Sequence, residues 1–429
     1  MPEEKYLNLG DYQLDEIRIE NTDGTTVFLK DAFVGLNIQE SIYNRFVSAQ
    51  LVLIDSVDFA GLFPIIGGET VYFSFKTPVF ASKKITMQMK VVNFERTYLS
   101  DNETTKAYLL TLVSPSFIEG TTKKISQTFS GTASQILGQL IKNHIPSLQD
   151  ETRKVFIKDT NQKFKIVSPY WTPYGVMDYL KRRCFLVNKN SVDSSYIFFE
   201  NIDGLHFVSI NQLKKQEPKV KLNYIKRARM GVDVSEEKFL SGESLEYNRY
   251  FDRSFEFSNG VFRGISVNYD STKKAASFKE FHYFDHEKYE ENLLNEFSIT
   301  PSNLTYLSDG VQEIDITNTQ SIENENGQLN KRLNYLFHRE RNSDIIRSRG
   351  QVITMRIPGN TDLRAGDLVY FEMPHTKPSK DEQNPFDPIL TGNYIVSKID
   401  HQLKKVNYFC NIEMIKDSVI SPLQPAQPD

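Results

Sequence analysis

Two histidines four residues apart, His282 and His286, flank Tyr283, Phe284 and Asp285. On a helix that spacing puts both imidazoles on one side, where they could share a metal. No third ligand is placed by spacing, and no glutamate stands between them to act as a general base, so no metal site is expected. Cys184 and Cys410 are the only cysteines, and they are far apart in the chain. That excludes a disulfide framework and a paired-cysteine zinc site, and leaves two small buried hydrophobes. No GxxxxGK phosphate loop, GxSxG nucleophile elbow or HExxH helix occurs. None of the seven histidines pairs by motif with a serine or cysteine nucleophile. Carboxylates are abundant enough for a glycosidase pair, but nothing singles out two of them. The chain is read as non-enzymatic, with no cofactor.

Basic side chains offer a different chemistry. Lys181, Arg182 and Arg183 close a helical pattern, which reads as a solvated helix end favoured by the macrodipole. Arg332, Arg339, Arg341, Arg347 and Arg349 lie among Leu329, Leu333, Leu336, Phe337 and Ile345 over residues 326–349, the longest helix candidate. Such a helix faces either DNA or an acidic partner, or packs across a sheet with its arginines snorkelling. The net charge of −4 gives no global signal for nucleic acid, and suits a surface that lets DNA pass without holding it.

The elements that position these groups are mainly strands. With 429 residues the chain has room for two to four domains and a sizeable core. Its 30 Phe and 21 Tyr against one Trp favour half-buried strands and large interfaces. The N-terminus has no apolar run of the signal-peptide kind, and no stretch approaches the ~20 apolar residues of a membrane span. The organising stretch is residues 32–76. Apolar side chains recur at every second position around Leu36 and Ile38, and again around Leu51 and Leu53, as in strands with one buried face. Asp55 and Ser56 stop the second ladder, Pro64 packs a corner, and Gly67 and Gly68 let the chain reverse.

Residues 1–115 read as the first β unit, of about seven strands, a size suited to a small closed barrel or sandwich. Residues 116–215 read as an α+β insertion, with helices starting at Ser130-Gly131-Thr132-Ala133 and at Thr172-Pro173, and a hairpin turning at Asp203-Gly204. Residues 216–349 are mixed: strands are expected over 254–257 and 264–269, then a polar loop with short strands, then the long helix. Residues 350–418 form the second β unit, with turns at Pro358-Gly359-Asn360 and Gly366-Asp367. From Ser418 on, the tail is expected to be unordered, with 419–429 flexible.

The order of these elements resembles the central baseplate hub protein of contractile-tailed bacteriophages, and in plan the hub part of type VI secretion spike proteins. The resemblance is carried by residues 48–55, followed by Gly61-Leu62-Phe63-Pro64-Ile65-Ile66-Gly67-Gly68-Glu69-Thr70-Val71. It is carried again by Ile357-Pro358-Gly359-Asn360, by Gly366-Asp367-Leu368-Val369, and by Tyr394-Ile395-Val396 with a closing strand. The helix over 173–184 and the hairpin at Asp203-Gly204 fill the places such proteins use between two barrels. The loop over 373–388 and the run over 298–319 do not match the pattern.

The resemblance implies an α+β, β-rich fold with two tube-type antiparallel β-barrels and inserted α+β domains. It implies a structural virion protein: a homotrimeric hub that adapts a sixfold tail tube to a threefold central spike and leaves a channel for DNA ejection. Its partners would be a tail spike protein on one face, the tail tube or a tube-initiator protein on the other, and surrounding baseplate proteins. It would reside in the tail baseplate after assembly in the host cytoplasm. The candidate assembly rim comprises Asp55, Phe59, Leu62, Pro64, Gly68, Asn360 and Asp367. The alternatives are a receptor- or carbohydrate-binding tail protein, with Trp171 and exposed tyrosines stacking on sugars, and a peptidoglycan hydrolase.

Overall fold

Alternation of apolar and polar side chains builds the first strands. A computed structural model describes residues 10–55, 61, 63–77, 83–98, 106–149, 153–188, 191–224, 240–249, 251–270, 274–283, 292–299, 311–315, 333–375 and 386–422. Strand β1 is Gln13–Glu20, β2 Thr26–Phe28, β3 Phe33–Ser41, β4 Ser48–Asp55, β5 Thr70–Lys76, β6 Ile85–Tyr98 and β7 Lys106–Val113. Leu51 and Leu53 of β4, Val71, Phe73 and Phe75 of β5, and Tyr108, Leu110 and Leu112 of β7 all point inward. Each side chain so buried contributes roughly 1.5–3 kcal/mol over an exposed one.

The inserted α+β part follows. Helix α1 is Pro115–Thr122, α2 Ala133–His144, α3 Pro173–Lys181 and α4 Ile210–Lys214. Helix α2 starts on a capping box, in which Thr132 and Gln135 satisfy each other's backbone amides. Its stripe of Ile136, Leu137, Leu140 and Ile141 packs in a core separate from that of the first strands. The hairpin pairs Tyr196–Asn201 with Gly204–Ser209, and Gly204 has a φ of 143° in its turn. Both cysteines are buried and free.

The chain then returns to the large sheet. Strand β8 is Val220–Tyr224, β9 Ser244–Arg249, β10 Gln351–Pro358, β11 Leu368–Glu372, β12 Gly392–Lys404 and β13 Tyr408–Lys416. Between β9 and β10 lie helix α5, Arg253–Ser258, and helix α6, Leu333–Arg347. The strand expected over 254–257 is therefore a helix. Asp252 caps it by accepting the Phe255 amide at 3.0 Å, and Arg253 bridges Glu256 at 2.6 Å. These local polar bonds outweigh the strand preference of Phe255 and Phe257.

The arginines of α6 turn inward. Arg339 and Arg347 are buried, Arg347 lies 3.7 Å over the Tyr283 ring, and Arg341 donates to the carbonyls of Lys181 and Tyr196. The helix packs within the protein rather than presenting a basic face. Residues 326–332 of that helix candidate lie outside the described residues, as do His286 and the side chains of Leu336 and Phe337. Ser418 and Val419 are buried and pair with Phe297–Ser298, so order extends past the point where the tail was expected to begin.

All thirteen labelled strands belong to one sheet, and their apolar faces share one core. The molecule is thus α+β and rich in strand. Among the described residues, no helix is long and apolar enough to cross a membrane.

Candidate assembly site

Two halves of the sheet repeat one plan. In the first half the neighbours run β1-β5-β6-β7-β4-β3. In the second they run β8-β11-β12-β13-β10-β9. Each set reads in the same chain order, so β1, β3, β4, β5, β6 and β7 correspond to β8, β9, β10, β11, β12 and β13. Every neighbouring pair is antiparallel in both halves except the first: β1 runs antiparallel to β5, whereas β8 runs parallel to β11. A short pairing of Ser241–Gly242 with β8, just before β9, brings the two ends of the second set together.

Local geometry repeats as well. Strand β6 shifts register between Val91 and Asn93, and β12 shifts between Val396 and Lys398. The connections β4 to β5 and β10 to β11 end in twin turns. The Gly68 amide donates to Val91 O at 2.9 Å, and Val91 returns a bond to Glu69 O at 3.0 Å. The Gly366 amide donates to Val396 O at 2.8 Å, and Val396 returns a bond to Asp367 O at 2.9 Å. The carboxylate after each glycine accepts the amide three residues back: Glu69 from Ile66 at 2.7 Å, Asp367 from Arg364 at 2.8 Å. Gly68 and Gly366 have φ values of +93° and +96°, where a side chain is strained.

The halves meet where β12 pairs antiparallel with β3, from Lys398↔Ser41 to Lys404↔Gly35. Beneath that junction lies a buried polar knot. Glu40 of β3 accepts the Ala365 amide at 3.1 Å, and its other oxygen stands 3.4 Å from His401 Nε2. His401 Nδ1 bonds the Tyr408 hydroxyl at 2.7 Å, and that hydroxyl reaches Asn360 O at 3.1 Å. Burial works against a charged His401, but bonds to Cys410 and to the Glu40 carboxylate outweigh it and lift the pKa to about 9. Arg364 spans the knot, donating to Asp203 of the inserted hairpin at 3.0 Å and to the carbonyls of Thr361 and Leu363. Asn201 adds a bond to Ala365 O at 3.1 Å.

Of the rim residues chosen from sequence, Asn360 and Asp367 belong to this junction. Asn360 is fully buried, and its side-chain oxygen caps the amides of Asp362 and Leu363. Asp367 pairs with Lys219 at 2.8 Å. Asp55 is also buried and accepts the Tyr108 hydroxyl at 2.9 Å. Pro64 is exposed, beside Ile66, the most exposed large apolar side chain of that turn at 86%. Phe59 and Leu62 lie outside the described residues. Glu40, His401 and Arg364 were not singled out from sequence, because isolated charges on strands carry no spacing signal. One signal for the repeat does exist: Gly68-Glu69-Thr70-Val71-Tyr72-Phe73 aligns with Gly366-Asp367-Leu368-Val369-Tyr370-Phe371.

The twin turns give a controlled comparison. A Cβ at Gly68 meets nothing within 4 Å, whereas one at Gly366 lies 2.8 Å from the Phe199 ring. Gly68→Ala is expected to cost about 1 kcal/mol, from backbone strain alone. Gly366→Ala is expected to cost about 2–4 kcal/mol, because overpacking adds to the same strain. Urea denaturation of both variants measures the difference, and equal losses would remove the contact with Phe199 from the account.

No family model matches the sequence. The chain is 20% identical over 295 residues to the probable baseplate hub protein gp334 of Vibrio phage KVP40, covering 66% of this chain and 67% of that protein. The tail protein from Neisseria meningitidis MC58 has the same fold, with a TM-score of 0.52 at 8% identity, covering 95% of this chain and 97% of that one. So does the 43 kDa tail protein of prophage MuSo2 from Shewanella oneidensis, with a TM-score of 0.53 at 10% identity, covering 94% and 99%. The chain is similar to a phage baseplate hub in sequence and to tail proteins in fold.

Proposed function

We propose that this protein is a structural virion component, the trimeric central hub of a contractile-tail baseplate. The observation that carries the reading is the internal repeat: two β modules of one strand order stand side by side and share one sheet across β12 and β3. Each module is a tube-type β-barrel, the first within residues 1–115. The second is built from 350–418 together with strands from 216–349, and 116–215 forms the insertion. Two modules per chain make three chains equivalent to a sixfold ring, so a sixfold tail tube and a threefold spike can meet on one body. The similarity to the Vibrio phage hub supports this placement in the virion tail.

The connections ending at Gly68 and at Asp367 lie at the same end of their modules and form the rim. Asp55, Asn360 and Asp367 shape that rim from inside, while Pro64 and Ile66 are exposed to meet a neighbour. The spike docks on one face of the ring and the tail tube or its initiator on the other. DNA passes through the lumen without specific binding. Mass measurement with negative-stain imaging tests the hub: three copies of the 49.6 kDa chain around a central hole are expected.

A second reading, a carbohydrate- or receptor-binding tail protein, is favoured by one observation. Tyr170, Trp171, Tyr179 and Arg183 line a cleft of about 450 Å³, with Tyr170 at a φ of 63° and 69% exposed. Aromatic faces of this kind stack on sugars. A monomer that bound glycans and lost binding on Trp171→Ala would favour this reading over the hub.

A further inference from the structure

We propose that successive copies of the chain join by antiparallel pairing of β6 in one copy with β9 in the next, in the register that β12 and β3 use inside the chain. This rests on the hub reading above and adds the edges and the residue pairs. Strand β12 pairs β11 as far as Ile395, passes its register shift, and then gives the same edge to β3. Strand β6 is built alike: it pairs β5 as far as Lys90, shifts register after Val91, and runs on to Tyr98 beside β7. Among the described residues, no strand pairs the other edge of β6 over 93–98. Strand β9 is the counterpart of β3. Where β3 has β4 on one side and β12 on the other, β9 has β10 on one side, and among the described residues no strand pairs its second edge. Among the described residues the chain therefore presents one edge of each kind, and such an edge is a template for another strand.

The repeat sets the register. Ser48↔Val113 in the first module corresponds to Val352↔Ile415 in the second. Counting along the ladders equates Leu36, Asn37, Ile38 and Gln39 with Leu245, Glu246, Tyr247 and Arg249. It equates Glu95, Arg96, Thr97 and Tyr98 with Asp400, His401, Gln402 and Leu403. Since Asp400↔Gln39 and His401↔Ile38 face each other inside the chain, Glu95 faces Arg249 and Arg96 faces Tyr247 between chains. Thr97 then faces Glu246, and Tyr98 faces Leu245. The types suit the pair of Arg96 and Tyr247, where a cation meets an aromatic ring. Glu95 and Arg96 are exposed, and Tyr247 is 46% exposed. Inside-chain and between-chain junctions then alternate, and three copies close the circle with each β6 edge set on a β9 edge.

Paired cysteines test the register in the full chain. Under mild oxidation, Arg96→Cys with Tyr247→Cys is expected to give a covalent trimer on a non-reducing gel. The offset pair Arg96→Cys with Leu245→Cys should give at least tenfold less, because a two-residue slip moves the α-carbons beyond disulfide reach. The native cysteines are buried and do not compete. Wild-type hydrogen exchange gives a second readout that needs no variant. Amides over 93–98 and 244–249 should become protected as the trimer forms with rising concentration. A trimer in which the offset pair links as well, or in which those amides exchange as fast as in the monomer, overturns the pairing and leaves the hub standing. A chain that stays monomeric at every concentration overturns both.

Discussion

Glu40→Ala is expected to destabilise the protein by about 3–5 kcal/mol, the cost of removing one partner from a buried charge pair. Glu40 is 1% exposed and lies under the strand that joins the two modules. Its carboxylate accepts the Ala365 amide at 3.1 Å and faces His401 at 3.4 Å. Arg364 responds to the same charge: burial disfavours its guanidinium, while Glu40 and Asp203 hold it protonated. Alanine would leave the Ala365 amide without its acceptor and take the facing carboxylate from His401, while Arg364 would keep Asp203 but lose the second charge that holds it. The variant also carries a pH signature. The pKa of His401 is raised to about 9, above its unfolded value of about 6.5. Its contribution is therefore complete below about pH 6.5 and is lost as pH rises through about 9. Cys410 supplies the larger share of that lift and Glu40 the remainder, so without Glu40 the lift is reduced and the gap between wild type and variant should narrow over the same interval. Urea denaturation across that range measures it. A gap below about 1 kcal/mol at pH 6, or one flat with pH, would mean that the pair does not hold the junction.

What was legible in the sequence follows from periodicity. The strands around Leu36 and Leu51 announce themselves, because one face is buried and the other is wet. Helix α2 is legible because small polar residues precede it and its stripe of Ile136, Leu137, Leu140 and Ile141 is clean; the Thr132–Gln135 box that starts it was not read from the sequence. Helix α6 was legible as a helix, with its role left open between a basic face and packing across a sheet. Arg339, Arg341 and Arg347 decide for packing, since they find carbonyls and rings on elements remote in sequence. The segment Arg253–Ser258 misled because two phenylalanines outweigh one N-cap aspartate when only residue preferences are weighed. The candidate site divides in the same way. Its turns were readable, since glycines at positive φ leave a mark. Glu40 and His401 were not, because partners 361 residues apart meet only once β12 lies beside β3.

Asp417→Ala is expected to cost about as much, 3–5 kcal/mol, at the other end of the second module. Asp417 follows β13 directly and is buried. Lys214 of α4 stands 2.7 Å away, and the Leu294 amide and Ser418 hydroxyl donate at 3.0 and 2.7 Å. Arg347 of α6 adds its charge. Burial alone would raise the carboxyl's pKa, but Lys214 and Arg347 outweigh burial and hold it below the usual range. The sign of the pH effect is thus opposite to that of His401. The stabilisation is present above the unfolded pKa of about 3.9 and is lost as pH falls through the lower folded value. The alanine variant should therefore differ from wild type by its full amount at pH 7, and by progressively less below about pH 4. A double variant, Lys214→Met with Asp417→Leu, should recover only part of the loss: the ammonium goes with the carboxylate, but Arg347 and the Leu294 amide still lose their partner. If the single variant lost nothing at pH 7, α4 and α6 would not be held to the last strand by charge. The apolar side chains of α4 would then have to hold that strand in the second module.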